Sequence, residues 1–333
     1  MKNKIKRVVV YGHFTGSHSY IHQGYYKAFQ YMGYESHWIS DIRELGGIDL
    51  SGTLFLTENM AKSNMPIRKD CYYILHHIDN IDFINVGCEF INLCNYLHVS
   101  LNNGMSYNYP IDGISAHGTL PLYPVEKIKD YVYYDKANNA IYQPWATDLL
   151  PNEIDDILEF DITKTEINFV GSVWSENINQ LAPMLLDCFN KKINVNIYGW
   201  VQSPQMISQF PNVKHITHTG TSEEDAQKLV KSSLIYPDIR GDLHRNVGYI
   251  PCRLFKNISY GCIPITNSLP SYEFFEKLIP YSDNSIDFVN ISTEYLNNRD
   301  IEKDRYLINK IKDQHTYVNR IQDILTYFDI LYS

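Results

Sequence analysis

The chain has 333 residues, 44% of them hydrophobic, which is enough for two domains of ordinary size with a core in each. Its formal net charge of −9 and isoelectric point near 5.7 argue against a broad surface for nucleic acid or anionic membrane, since both need clustered Lys and Arg side chains. Any anion that the protein binds is therefore expected to be held at a local site.

We predict neither a secretory signal nor a membrane-spanning segment. The basic start MKNKIKR is followed by a short apolar run that ends at Gly12, and no run elsewhere approaches the roughly 20 residues that span a bilayer. Six cysteines are scattered without a C-x-x-C pair, which suits reduced thiols in a cytosolic protein better than disulfides or a zinc site. We expect a cytoplasmic protein, and peripheral attachment to a membrane stays open.

Residues 1–150 are predicted to form an N-terminal Rossmann-like domain. The strand Arg7–Gly12 leads through the loop HFTGSHS into a helix from Tyr20 to Gly33, where the glycine ends the helix. Three further strands are predicted in the stretches SHWIS, TLFLT and CYYILHH, at spacings that leave room for crossovers. This alternation is typical of an α/β fold with a mostly parallel sheet. The stretch YVYYDKANNAIYQPW predicts two more strands around an Asn-Asn turn.

Residues 151–314 are predicted to form a second Rossmann-like domain, after a polar and acidic boundary at Ala146–Asp161. EINFVGS predicts its first strand, and Ser175 can cap the helix that follows. INVNIYGW and LIYPDI predict two more strands, and TGTSEEDAQKLVKSS predicts a capped helix between them. The segment RYLINKIKDQHTYVNRIQDILTYFDILYS has apolar residues at helical spacing and predicts one long terminal helix. Its last part, residues 315–333, can pack back on the N-terminal domain.

The stretch YIPCRLFKNISYGCIPITN (residues 249–267) contains the most informative basic residues. In an open α/β sheet, ligands lie beyond the carboxyl ends of the strands, and phosphates favour helix N-termini. Here a strand ends near Asp238, a glycine-containing loop follows, and Pro251 suits the first turn of a helix. Arg253 then lies in that first turn, with Lys256 one turn later on the same face. The spacing alone leaves open a solvated surface pair or a phosphate site.

Several stretches resemble the C-terminal, donor-binding domain of GT-B glycosyltransferases of the family 1/4-like type. The chain as a whole resembles a divergent member of that group. CRLFKNISYGCIPITN resembles their helix-Gly-Cys-x-Pro-strand element, where the nucleotide-sugar donor binds. INFVGSVW and VNIYGW resemble the first two strands of that domain, HTG resembles a segment near the base, and HTYVNRIQDIL resembles the terminal helix. Together these pieces cover Glu166 to Leu325 in the family's order.

The resemblance implies a GT-B fold, in which two Rossmann-like domains face an interdomain cleft and a long C-terminal helix follows. It implies a glycosyltransferase that moves a hexose or deoxyhexose from a nucleotide-diphosphate sugar to a hydroxyl of a glycan or other acceptor. The N-terminal domain would bind the acceptor and the C-terminal domain the donor. The family generally uses no bound metal or other cofactor, so the partners expected are the nucleotide sugar and the acceptor, without nucleic acid.

Arg253 and Lys256 would bind the donor diphosphate in such an enzyme. At Lys256 the chain departs from the family, because many retaining members carry a Glu there that holds the donor ribose. The Arg-to-Lys spacing is also shorter than usual, so Arg240 or Arg245 can share the phosphate.

The loop before the helix offers further donor-binding candidates. Asp242 and His244 can hydrogen-bond sugar hydroxyls, or they can belong to a solvated polar loop. Tyr249 can cover the sugar or the base, and Gly220 ends the HTG segment near the base. Asp238 is a further polar group near the predicted sugar, or it simply caps its strand end.

The acceptor side depends on histidines at predicted carboxyl strand ends. His18, and after it His13, are candidates for a catalytic base, because histidine titrates near neutral pH. Inverting transfer needs such a base and retaining transfer does not, so the stereochemistry stays open. His76, His77 and Asp79 are acceptor-side candidates, with a purely structural role as the alternative for each histidine.

Two other functions remain compatible with the sequence. A nucleotide-sugar epimerase of the same fold would need no acceptor, so product analysis without one would distinguish it. A non-catalytic module that binds nucleotide or glycan would bind the donor without turnover.

Overall fold

A computed structural model of the chain describes residues 4–12, 14, 19–58, 64–76, 78, 80–95, 126–129, 131–155, 157–159, 163–216, 222–246 and 248–332. The chain forms two compact units. The first unit combines Met1–Leu150 with Thr316–Ser333, and the second unit is Pro151–His315. None of the helices in the described ranges combines the length and apolar character that crossing a bilayer demands.

The strands follow one another along the chain as β1 (Arg7–Tyr11), β2 (Ser36–Ile39), β3 (Thr53–Glu58), β4 (Tyr72–His76), β5 (Glu89–Cys94), β6 (Glu126–Lys129), β7 (Val132–Asp135), β8 (Ala140–Tyr142), β9 (Glu166–Val170), β10 (Asn194–Tyr198), β11 (Val213–Ile216), β12 (Pro237–Asp238) and β13 (Ile265–Thr266). The helices are α1 (Ser19–Tyr31), α2 (Ile81–Val86), α3 (Ser175–Asn190), α4 (Pro204–Ile207), α5 (Glu223–Lys231), α6 (Asp242–Asn246), α7 (Cys252–Ser259), α8 (Leu269–Phe274), α9 (Phe288–Asn297), α10 (Ile301–Gln314) and α11 (Tyr317–Tyr332).

The first unit is built on one sheet with the order β2-β1-β3-β4-β5-β8-β7-β6. Strands β1 to β5 and β8 run parallel, whereas β6 and β7 pair antiparallel at one edge. The predicted parallel sheet is therefore confirmed. The predicted turn between two strands is also confirmed, because Asn139 adopts a left-handed conformation between β7 and β8. On one face of the sheet, Val9, Phe55 and Tyr73 belong to one buried apolar cluster.

The prediction of one long terminal helix is wrong, since the helix breaks at His315–Thr316. Asn319 Oδ1 accepts hydrogen bonds from the backbone N–H of Thr316, at 2.9 Å, and from its hydroxyl, at 2.8 Å. These contacts replace the helical ladder and start a new helix, α11. Within the first unit Arg320 of α11 is buried, and its Nε donates to the carbonyl of Pro144 at 2.8 Å. Apolar periodicity continues across the break, so it could not reveal where one helix ends and the next begins.

The second unit has the strand order of a Rossmann fold. β10 and β11 lie in turn on one side of β9, and β12 pairs with β13. A backbone hydrogen bond of 2.8 Å from Leu234 to the carbonyl of Glu166 places the chain entering β12 on the other side of β9. The order of strand addition thus reverses between β9 and β12. Ligands of open α/β sheets bind at such a switch point, beyond the carboxyl ends of the strands.

Of the two helix caps predicted in the second unit, the structure contains the one at α5 but not the one at α3. Ser222 caps α5 by accepting a hydrogen bond from the backbone N–H of Asp225, as predicted. Ser175 does not cap α3, because it is already the first helical residue and Trp174 occupies the cap position. The backbone N–H of Ser175 instead donates to Oε1 of Gln202 at 2.9 Å. The loop after β9 is therefore fastened to the loop after β10.

Candidate functional site

Arg253 lies at the switch point of the second unit. It is in the first turn of α7, and its Nη1 is 3.9 Å from Oδ1 of Asp238 at the end of β12. Its guanidinium carbon is 4.1 Å from the ring centroid of Phe169 in β9. Gly171, just after β9, leaves room for this side chain, because a Cβ there would lie 2.2 Å from Nη2 of Arg253. The guanidinium therefore spans the carboxyl ends of the two strands between which the order reverses.

A second guanidinium shares the same buried carboxylate. Asp238 is fully buried, and its Oδ1 accepts a hydrogen bond from Nε of Arg240 at 2.7 Å. Its Oδ2 accepts one from the hydroxyl of Thr266 at 3.0 Å. In the described part of the chain, neither Arg240 nor Arg253 forms an ion pair with any other carboxylate. The group thus carries one positive charge in excess, with 10% and 16% of the two arginine side chains exposed.

Burial and mutual repulsion set the charge state of the two arginines. Burial first, and then the neighbouring charge of Arg240, lower the pKa of Arg253 to about 10. Burial also acts to lower the pKa of Arg240, but the charge and hydrogen bond of Asp238 outweigh it and leave that pKa raised. Both side chains remain cationic near neutral pH. An anion bound here would offset the repulsion between them, and guanidinium groups can hold phosphate oxygens bidentately.

The backbone that carries Arg240 is fixed by two asparagines. Its N–H donates to Oδ1 of Asn267 at 2.7 Å, and its carbonyl accepts from Nδ2 of the same residue at 3.0 Å. The N–H of Gly241 donates to Oδ1 of Asn177, in α3, at 2.9 Å. The loop after β12 is thereby held to two neighbouring elements, which keeps the arginine in place before any ligand arrives.

The rest of this loop packs beside Arg240. The His244 and Tyr249 rings are 4.9 Å apart, and the guanidinium carbon of Arg240 is 5.7 Å from the Tyr249 ring centroid. Asp242 is exposed and accepts a hydrogen bond of 3.2 Å from Gln180, with Nη1 of Arg245 at 3.5 Å. The structure therefore brings Arg240, His244 and Tyr249 together. Asp242 faces solvent, whereas Arg245 is partly buried.

Lys256 lies one turn after Arg253 in α7, and its ammonium is 6.0 Å from the ring centroid of Tyr260. Tyr260 directly follows the C-terminal end of α7, whereas Arg253 contacts the strand ends at the other end of the helix. A phosphate-binding role for Lys256 stays a prediction.

Five of the predicted site residues cannot be placed. His13, His18, His77, Asp79 and Gly220 lie outside the described residues.

His76 ends β4 with 4% of its surface exposed, and its ring meets that of Trp145 edge-on, with centroids 5.0 Å apart.

Within the described ranges, no three His, Cys, Asp or Glu side chains are grouped so that they could hold a metal ion.

Sequence reasoning missed the partners of Arg253. The sequence predicts no site role for Gly171 or Phe169, and it predicts Asp238 as a polar group near the sugar or a strand-end cap, without its two arginine partners. The signal that could have found Gly171 is its place directly after a predicted strand, where a glycine permits close approach. Its φ of +139° confirms that the position favours glycine.

No protein-family model and no curated protein matches the chain. Solved structures do match it across nearly its whole length. One is an alpha-glucosyltransferase in complex with UDP and a 13-mer DNA containing a central A:G mismatch. It has a TM-score of 0.53 at 9% identity, covering 98% of this chain and 100% of that one. Another is AviGT4, a glycosyltransferase involved in avilamycin A biosynthesis, with a TM-score of 0.50 at 9% identity and 98% of both chains covered.

At such low identity the likeness concerns the fold. The two matched proteins are glycosyltransferases of GT-B architecture, and the Rossmann-type strand order of the second unit agrees with that architecture. The chain therefore has the GT-B fold found in these glycosyltransferases.

Proposed function

We propose that the protein is a glycosyltransferase that moves a sugar from a nucleoside-diphosphate sugar to a hydroxyl group of a glycan or other acceptor. The observation that carries this proposal is the buried group of Arg240, Arg253 and Asp238 at the switch point of a GT-B-fold unit. Its excess positive charge suits a diphosphate. The alpha-glucosyltransferase of the same fold was solved with UDP, which supports this class of donor.

The chemistry assigns the two arginines to the leaving group. When the acceptor oxygen bonds to the anomeric carbon, the bond from that carbon to the diphosphate oxygen breaks, and negative charge develops on the diphosphate. Cationic groups already in position stabilise that charge without reorganising. Arg253 would contact it from the first turn of α7, where backbone N–H groups also favour an anion. Arg240 would be the second cation, and Lys256 can add a third contact.

The other roles follow from this assignment. The second unit would bind the donor and the first unit the acceptor, with no metal required, since basic side chains receive the diphosphate. An inverting reaction would pass the acceptor proton to a base, for which His18 and His13 are the candidates. A retaining reaction would not use that base. We expect His18→Ala to abolish transfer where His18 is the base of an inverting reaction, whereas near-normal turnover would mean a retaining reaction or a different base, such as His13. Donor binding should survive in both cases.

The test of the donor site is pyrophosphate and nucleotide-sugar binding by calorimetry. Arg253→Ala should weaken binding by about 10- to 150-fold, the equivalent of one charge-assisted contact of about 1.5–3 kcal/mol. Arg305→Ala is the matched control, because Arg305 lies in the same unit but is half exposed and pairs with Glu302 in α10. Equal affinities for Arg253→Ala and the unmodified protein would remove the proposed site.

The donor can then be identified by thermal shift against a panel of nucleotide sugars. A ligand at 100 times its Kd stabilises the folded protein by about 2.7 kcal/mol. Radiolabelled transfer to acceptors, with the best donor, would establish the activity itself.

A further inference from the structure

Two glycines at neighbouring strand ends lie next to the arginine site. Gly171 follows β9 and Gly199 follows β10, with φ values of +139° and +142°. A Cβ on Gly199 would lie 2.6 Å from the carbonyl oxygen of Gly171, and the N–H of Gly171 donates to the carbonyl of Tyr198 at 2.8 Å. The two backbones are therefore in direct contact, and Gly171 in turn contacts the guanidinium of Arg253.

Strand β11 holds both backbone polar groups of Gly199. The N–H of Gly199 donates to the carbonyl of Ile216 at 3.3 Å. Its carbonyl oxygen lies 2.8 Å from Nε2 of His215, the preceding residue of β11. Because a carbonyl oxygen can only accept, Nε2 carries the hydrogen and donates it. The imidazole thus fixes the orientation of the peptide group between Gly199 and Trp200.

A glycine at this position depends on such a contact. Without a Cβ, the backbone of Gly199 has access to a wide range of φ and ψ, and ordering it costs more entropy than ordering another residue. His215 itself is held in a strand, because β11 pairs with β10 in a register that places His215 opposite Ile197. A fixed side chain therefore restrains a backbone that is flexible by its composition.

We infer that His215 is a positioning residue for the diphosphate site. Its influence passes from Nε2 to the carbonyl of Gly199, from that backbone to the carbonyl oxygen of Gly171, and from Gly171 to Nη2 of Arg253. A shift of the Gly199 peptide would reach Gly171, since no space separates the two backbones. The inference rests on the proposed function, which assigns the diphosphate to Arg253.

The test is pyrophosphate calorimetry on the full chain. His215→Phe keeps a planar ring but removes the donor, and it should weaken pyrophosphate binding by about 2- to 12-fold, the range expected for one neutral hydrogen bond. His215→Gln returns an N–H donor and should restore most of that affinity. In the Arg253→Ala background His215→Phe should cause no further loss, since its effect passes through Arg253.

Asn212→Leu is the matched control for a purely structural role. Asn212 directly precedes β11, and its Nδ2 donates to the carbonyl of Ile193 at 2.9 Å, directly before β10. It is the same kind of bond, made at the amino ends of the two strands. Its loss should lower the unfolding midpoint and leave pyrophosphate affinity within about twofold.

Thermal denaturation of each variant identifies a temperature at which all of them are folded, and calorimetry is carried out there. Where His215→Phe folds poorly, His215→Leu also lacks the donor and gives the same comparison.

The outcomes separate this inference from the proposed function. Full pyrophosphate affinity in folded His215→Phe, alongside weakened binding by Arg253→Ala, overturns the inference alone. A loss that persists undiminished in the Arg253→Ala background, or that His215→Gln does not restore, overturns it as well, because His215 would then act by another route. If neither Arg253→Ala nor His215→Phe affects binding, the donor site fails and the inference fails with it.

Discussion

Gly171→Ala is the most direct test of how the fold places Arg253. The new Cβ would lie 2.2 Å from Nη2 of Arg253 and 3.3 Å from its guanidinium carbon. The clashing atom is the far end of a flexible side chain, so we expect the arginine to move aside rather than the strand to shift. The guanidinium would then leave the Phe169 ring and the end of β12.

The expected size of the effect has two parts. Displacing one charge-assisted contact should weaken pyrophosphate binding by about 10- to 150-fold. The substitution also places a side chain at a φ of +139°, which should cost stability of order 1–3 kcal/mol. Gly87→Ala provides the matched control for backbone strain. Gly87 has a φ of +76°, and a Cβ there would meet nothing within 4 Å.

The assay is pyrophosphate calorimetry on a double-mutant cycle, with thermal denaturation to confirm folding. If Gly171→Ala acts through Arg253, the double variant Gly171→Ala/Arg253→Ala should bind pyrophosphate no more weakly than Arg253→Ala alone. Additive losses in the cycle, or full affinity in a folded Gly171→Ala protein, would refute the reasoning.

Four other substitutions test the arginine site and its neighbours. Asp238→Asn leaves two buried guanidinium groups without their carboxylate, so the free energy of unfolding should fall by about 3–5 kcal/mol. Thermal or urea unfolding measures this loss, and pyrophosphate should restore part of it. An unchanged unfolding midpoint would contradict the role of this charge. Phe169→Leu removes the ring under Arg253 and should weaken pyrophosphate binding by about 2- to 30-fold, whereas equal affinity in a folded variant would show that the ring does not position the arginine. Arg240→Ala should reduce pyrophosphate affinity more than Lys256→Ala, because Arg240 shares Asp238 with Arg253; the reverse order in calorimetry would make Lys256 the second cation.

The sequence predicted elements better than it predicted contacts. The parallel sheets and the cap of α5 follow from local patterns, such as alternating strands and a Ser before acidic residues. Arg253 could be placed in the first turn of α7 because Pro251 and the preceding strand fix where the helix begins. Its partners could not be predicted, since Gly171 is distant in the sequence and only the strand order brings the two together. The three-residue spacing likewise predicts that Lys256 and Arg253 share a face of the helix. Spacing alone could not show that the Tyr260 ring lies beside the Lys256 ammonium.

The residues after His315 return to the first unit, and this has a consequence for the order in which the chain folds during synthesis. The second unit is continuous from Pro151 to His315, so its parts are complete before α11 emerges from the ribosome. The first unit begins earlier but must wait for its last helix. Until then the carbonyl of Pro144 lacks Arg320 and the carbonyl of Asp135 lacks the hydroxyl of Tyr327, its donor at 2.9 Å. The domain that starts the chain is thus expected to be the last to finish folding.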